Sequence, residues 1–266
     1  MGFTIPADTE MALRLGVFLA MFAVLALWEW AAPARTARLS RALRWRANLG
    51  LAVLNTALLR VALPGSALAF AALAADGGWG LLNRYAVPDC VAVGLGILLL
   101  DLAIYFQHVL FHSVPALARL HAVHHADPDF DLTTGIRFHP LEMALSTAVK
   151  FAAIAALGAP VLAVLAFEVL LNATAMFNHA NVSLPVWLEP WVRRVLVTPD
   201  MHRTHHSVIE AERNSNYGFC LSIWDRMLGT YTSAPLGNLD IGLATWRDSD
   251  AIVTLPGMLR MPFSGR

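Results

Sequence analysis

Residues 11–32 read MALRLGVFLAMFAVLALWEWAA, an apolar run with a single arginine, Arg14, near its start. A run of that length matches what a helix needs to cross the roughly 30 Å hydrocarbon layer of a bilayer. Trp28 and Trp30 fall where an interfacial aromatic belt is expected. A cleaved signal peptide would carry basic residues ahead of the run, whereas here Asp8 and Glu10 come first and the arginines follow. Those arginines are Arg35, Arg38, Arg41, Arg44 and Arg46, with no acid among them. Such a loop stays in the cytoplasm, which puts the N-terminus on the opposite side. Further apolar stretches lie at 47–75, broken by Arg60 and Pro64, at 90–112 and at 144–177. Arg60 is expected to snorkel or to face protein, because an arginine in lipid is costly. The last stretch contains LGAP at 157–160, whose glycine and proline mark a turn. It therefore reads as two short spans or a re-entrant hairpin.

Composition supports a membrane chain: 57% of the 266 residues are hydrophobic and 14% are charged, against about 25% charged in soluble domains. The formal net charge is zero, so nothing calls for a nucleic-acid partner. Cys90 and Cys220 have neither metal-type nor disulfide spacing and read as core or lipid-facing residues. Between 184 and 197, Trp187, Trp191 and Val195 recur every four residues with Arg193 and Arg194 off that face, the pattern of a helix lying in the interface.

All ten histidines lie between positions 108 and 206. Histidines scattered through a core would not segregate in this way. His108 and His112 are four apart. HAVHH at 121–125 and HRTHH at 202–206 repeat one spacing, His-x-x-His-His. Residues three or four apart share a helix face, so each group can aim two or three imidazoles at one point. Imidazole suits zinc, iron, copper or nickel, and eight such groups are enough for two ions. His139 in RFHP and His179 in FNHAN stand alone, yet no other histidine in the chain is idle, so both join the candidates. Metal-bound histidines usually donate their other N–H to a carboxylate or carbonyl. Asp101, which shares a helical stripe with Tyr105, His108 and His112, is a candidate to orient His108 or a neighbour, and Glu142 and Asp200 are further candidates. Asp200 also suits a helix N-cap. The His-Glu-x-x-His of zinc hydrolases and the Glu-x-x-His pairs of ferritin-like di-iron sites are both absent. A histidine-rich metal transporter would place its ligands near the bilayer midplane on broken helices, whereas these histidines lie past the ends of the apolar runs. A structural zinc membrane protein is the other alternative.

The set DLAIYFQHVLFH, HAVHH, RFHPLE, NHAN, HRTHHS and NYGFCLSIWDRMLGTY, over roughly residues 95–231, resembles the fatty acid hydroxylase / sterol desaturase superfamily. His139 and His179 match single histidines of its sterol-desaturase-like branch. The fatty acid 2-hydroxylase branch pairs the later histidine with a second one, where this chain has Ser183. The resemblance implies an all-α integral membrane bundle of four to five transmembrane or re-entrant helices under a cytoplasmic histidine-rich cap. Its expected divisions are 1–89 (N-terminal spans and basic loop), 90–231 (histidine-box catalytic domain with membrane hairpin) and 232–266 (tail). It also implies two non-haem iron ions, held by His108, His112, His121, His124, His125, His139, His179, His202, His205 and His206. These would use O2 to hydroxylate or desaturate a lipid. No flavin, haem or iron–sulfur motif is present, so electrons are expected from a separate donor, a ferredoxin or a cytochrome b5-like protein with its reductase. The arginine loop and Arg193–Arg194 are its expected docking sites. Zinc competes well for nitrogen ligands, so recombinant material can carry it.

Overall fold

The computed structural model describes residues 6–63, 65–85, 87–247 and 250–264. Pro64 and the two chain ends, on which the predicted sidedness of the termini falls, lie outside the described residues. The fold is all-α. The only strand pairing among the described residues is two isolated bridges, Leu196 with Leu221 and Ser207 with Ile241. Among the described residues, five stretches are long and apolar enough to cross a membrane: Asp8–Ala31, Arg41–Arg84, Asp89–Ser113, Pro140–Leu157 and Val161–Asn178.

The first of these is α1 (Ala7–Ala31). The second is not one rod. It comprises α2 (Arg41–Ala62), α3 (Ala67–Asp76), which starts on a Ser66 side-chain cap to the Ala69 N–H, and the single turn α4 (Leu81–Arg84). At 1.5 Å per residue α2 spans about 33 Å, while α3 reaches only about 15 Å and cannot cross alone. It packs Leu68, Ala71 and Phe70 into the core formed with the later hairpin. The central helix is α5 (Asp89–Ser113), which carries Leu100 and Ile104 into that core. A Cβ at Gly96 would come within 2.8 Å of the Ala163 methyl, so glycine is what allows the two backbones to cross there.

Proline at N1 starts α6 (Pro115–His125) one residue after α5 ends, which turns the chain over the membrane end of the bundle. The hairpin expected at 144–177 is α7 (Pro140–Leu157) and α8 (Val161–Asn178). Gly158 adopts φ +66° at its turn, against the Trp79 carbonyl. The remaining helices build the cap: α9 (Glu189–Val192), α10 (Pro199–His205), α11 (Glu210–Arg213), α12 (Ile223–Leu228) and α13 (Leu255–Arg260). The interfacial helix expected over 184–197 shrinks to α9. Pro185 and Pro190 deprive a longer helix of backbone donors, although Trp187, Trp191 and Val195 are all exposed. The C-terminal residues fold back, packing Trp246, Ile252, Met258 and Met261 on Ala47, Leu51 and Val123.

The arginine loop is only partly a surface feature. Arg44 is buried and grips Asp127 through two bonds of 2.7 Å and Asp131 through one of 2.6 Å. The acids missing from the loop are supplied by DPDFD at 127–131. This segment is braced further by Asp129, which accepts from the Arg38 and Leu39 N–H groups, and by Asn48, which bonds Thr133. Glu29, near the end of α1, accepts from the Leu132 and Asn181 N–H groups.

Candidate metal centre

Nine of the ten histidines converge in two adjoining groups. His108, His112, His121, His125 and His205 form one, and His124, His179, His202 and His206 form the other. Within each group one ligand atom per residue lies within 4.8 Å of all the others. The doubled His-x-x-His-His spacing now has a geometric meaning. On α6, His121 and His125 face the first group and His124 the second. On and just after α10 the roles reverse, with His202 and His206 facing the second group and His205 the first. The groups touch where the His125 and His206 rings stack at 4.3 Å.

The nitrogens are spaced as neighbours around an ion. Nε2 of His108 lies 3.2 Å from Nε2 of His121 and 3.1 Å from that of His205. In the second group, His179 Nε2 lies 3.1 Å from that of His124 and 3.0 Å from that of His202. Nitrogens about 2.1 Å from one ion and at right angles to each other would sit about 3.0 Å apart. The tautomers agree with this. The Nδ1–H groups of His108, His205 and His179 donate to the carbonyls of Tyr217 (2.8 Å), Ser215 (2.7 Å) and Ala175 (2.7 Å). That of His121 donates to Glu142 at 2.6 Å. Each Nε2 is thereby a bare lone pair. Lone pairs facing one another at 3.1 Å repel unless a cation lies between them. His112 Nε2 and both ring nitrogens of His125 and His206 are buried without a hydrogen-bond partner, which a metal would also remedy. Burial, reinforced by neighbouring imidazoles, holds His124, His125, His202, His205 and His206 well below the ordinary histidine range. Burial lowers His179 to about 3. Neutral imidazole is the ligating form. The donor set therefore fits two nitrogen-bound ions, as a di-iron centre requires, and would also accept zinc.

Residues 93–230 match the family model described as fatty acid hydroxylase. That stretch is just over half of the chain and contains both histidine groups. The chain belongs to the fatty acid hydroxylase family. Among its relatives, an ornithine lipid hydroxylase, OlsE, of Rhizobium tropici is 32% identical over 160 residues, covering 59% of this chain and 46% of that protein. An alkylglycerol monooxygenase of Danio rerio is 31% identical over 137 residues, 52% of this chain and 30% of its own length. A cholesterol 25-hydroxylase of Mus musculus is 31% identical over 144 residues, 53% and 46% respectively. The matched region thus spans less than half the length of these relatives. No solved structure matches the chain.

In this member of the fatty acid hydroxylase family, the residues around the histidines divide differently from what the spacing suggests. Glu142 touches His121. Asp101 touches no histidine. Its carboxylate accepts from the Trp224 indole N–H (2.8 Å) and from the Cys220 and Leu221 N–H groups (3.2 Å each). Asp101 lies seven residues before His108, two turns or about 10 Å along the helix, and reaches the cap loop instead. Tyr105 meets the Thr230 hydroxyl at 2.7 Å instead of a histidine. Asp200 bonds Arg203 and Ser183, and the N-cap of α10 is Thr198, which accepts from Met201 N–H. His139 lies outside both groups. It caps α7 by accepting from Leu141 N–H, and its Nε2 faces the Leu259 carbonyl at 3.3 Å.

The closing stretch NYGFCLSIWDRMLGT acquires a role it lacks in the sequence. Asp225 accepts from the Tyr217 N–H (2.7 Å) and Gly218 N–H (2.8 Å). Together with Asp101 it pins the loop that presents the Tyr217 and Ser215 carbonyls to His108 and His205. Arg44, Asp127, Asp131 and Glu29 were not singled out by spacing. A charge count would have found them, because five arginines with no local acid need partners and DPDFD directly follows the second box.

Proposed function

We propose that the chain is a membrane-embedded, non-haem di-iron oxidoreductase that uses O2 to hydroxylate or desaturate a lipid C–H bond. One observation carries this reading: a cavity of about 880 Å³, walled mostly by apolar side chains of the membrane helices, ends on His108, His121 and Glu142 of the first histidine group. An alkyl chain can lie in it with a carbon beside the metal ligands. Two bound iron ions would supply what no side chain can, O2 activation and cleavage of an unactivated C–H bond. The protein's own residues do the rest. Glu142 and the Tyr217, Ser215 and Ala175 carbonyls hold the imidazole protons at Nδ1, so that Nε2 points inward. Phe111, Phe138 and Phe219 line the inner cavity and keep water from it. Desaturation and hydroxylation begin with the same hydrogen abstraction. The relatives' names, two hydroxylases and a monooxygenase, favour hydroxylation.

The reaction consumes two electrons, which we assign to a separate ferredoxin or cytochrome b5-like donor. Arg44 is unavailable to such a partner, being buried among aspartates, whereas Arg46 and Arg194 remain exposed. We assign the histidine cap and the C-terminus to the cytoplasm, at the inner membrane if the cell is bacterial, a reading supported by the arginine-rich segment after α1. The test compares the lipidome of a deletion strain complemented with wild type or with His205→Ala. An oxygenated or unsaturated lipid class should vanish in the deletion strain and return only with wild type. An unchanged lipidome, with no O2 consumption by the iron-loaded protein, would sink the proposal.

A further inference from the structure

The cavity is not apolar throughout. Away from the histidines its wall carries Arg14 of α1, Arg60 of α2, Lys150 of α7 and Glu168 of α8. Lys150 lies eight residues beyond Glu142 on α7, about 12 Å deeper at 1.5 Å per residue. Arg60 lies five residues beyond Asn55, whose amide donates to the Phe138 carbonyl beside the site, so it sits about 8 Å deeper. Lys150 and Glu168 sit within their helices, where charges are costly and mark a functional place by default, whereas Arg60 is exposed in the last turn of α2.

The pairing is uneven. Glu168 is clasped by both Arg14 and Lys150, and Arg14 also reaches Glu10 at 2.9 Å. Arg60 forms no ion pair with the described residues. Three cations therefore meet two carboxylates, and one positive charge is uncompensated. Exposure has the same polarity. The side chains of Arg14 and Lys150 keep 30% and 20% of their surface open, while that of Glu168 keeps 6%. Glu168 is the most enclosed of the three, clasped between its two cations. Gln107, Ser146 and Asn172 add neutral hydrogen-bonding groups along the same wall.

We infer that this cationic end binds the anionic headgroup, carboxylate or phosphate, of the lipid substrate, with Arg60 and Lys150 as specificity-determining residues. The headgroup is then anchored and the alkyl chain runs back roughly 8–12 Å to the histidines, so that the oxidised carbon is set by its distance from the charge. This rests on the proposed lipid oxidation but can be read without turnover.

The test is equilibrium binding of cis-parinaric acid and of its methyl ester to the full chain in a neutral detergent, followed by probe fluorescence. Wild type should bind the acid at least about tenfold more tightly than the ester, the scale of a hydrogen bond to a charged group. Arg60→Gln and Lys150→Gln should each bring the acid down toward the ester while leaving the ester's affinity and metal per chain unchanged. Arg60 has no ion-pair partner to strand, so its variant keeps the fold. Displacement of the probe by oleate, by oleoyl lysophosphatidic acid and by neutral monoolein separates the sources, and whichever anion competes more strongly names the headgroup. Equal affinity of wild type for acid and ester, monoolein competing as well as both anions, or an acid preference untouched in both variants would each overturn the inference. None of these results depends on whether the lipid is later oxidised.

Discussion

Replacing Arg44 with methionine tests how the segment behind the second histidine box is held. Methionine keeps most of the buried volume and removes only the charge and its donors. The arginine makes three bonds of 2.6–2.7 Å to Asp127 and Asp131 and one of 3.1 Å to the Asp129 carbonyl, and all three side chains are nearly inaccessible. Burial alone would raise the Asp127 carboxyl, but Arg44 and Arg137 together hold it below the usual carboxylate range. Removing one partner of a buried ion pair typically costs about 3–5 kcal/mol, because the other charge is left uncompensated. At 2–4 °C per kcal/mol for a chain of this size, Arg44→Met should lower Tm by roughly 6–20 °C. Asp127 follows His125 by two residues, so iron per chain should fall as well. Asp127→Asn added to Arg44→Met removes the stranded charge, and the double variant should be more stable than the sum of the two single changes by at least about 1 kcal/mol. The assay is thermal unfolding of the detergent-solubilised chain, with metal analysis of each variant. A single variant melting within about 2 °C of wild type, or a double variant showing simple additivity, would refute the view that this buried cation organises the segment.

His205→Ala should lower metal content below two per chain, whereas His139→Ala should leave it unchanged and cost only a helix cap, about 1 kcal/mol by thermal unfolding. Glu142→Ala should weaken the ion held by His121 by about 10–100-fold in a chelator competition, with Glu142→Gln milder because the amide oxygen still accepts the Nδ1–H. The metal-free chain should lose stability as pH falls. His124, His125, His202, His205 and His206 titrate at about 6.5 when unfolded but well below that when folded, and His179 falls to about 3. The unfolded state therefore binds more protons through that window, and stability is full above about 6.5 and declines below it. Acid melts of chelated protein should show this fall, and a flat profile between pH 7 and 4 would contradict it. Trp187→Ala with Trp191→Ala should reduce quenching of tryptophan fluorescence by brominated phospholipid while metal per chain stays constant.

Much of this molecule was legible because water and lipid impose simple rules. The apolar runs foretold the spans, and the LGAP turn foretold the hairpin. The repeated histidine spacing foretold two gathering points. Spacing failed where a side chain's partner comes from elsewhere in the chain. Asp101 shares a stripe with His108, yet it turns to the cap because the Cys220, Leu221 and Trp224 donors have no other acceptor there. His139 resembles a ligand in a histidine-rich window, but a proline follows it and its ring is used to start α7. By sequence alone Arg44 belongs to the arginine-rich sidedness signal. It is a structural residue, because the three aspartates that claim it lie more than eighty positions away.

The exchange of roles between the two His-x-x-His-His segments has a consequence for assembly. Each segment gives a pair of imidazoles to one group and a single imidazole to the other, so neither group is complete until α10 has docked against α6. A chain that ends at His179 holds six of the nine donors, four of the five in the first group and two of the four in the second. The second position would therefore need the last quarter of the polypeptide for half of its donors, and the first for only one of five. Loss of HRTHH would strip two donors from the second group and one from the first, and loss of HAVHH would do the reverse, so damage to either segment should weaken metal binding at both positions.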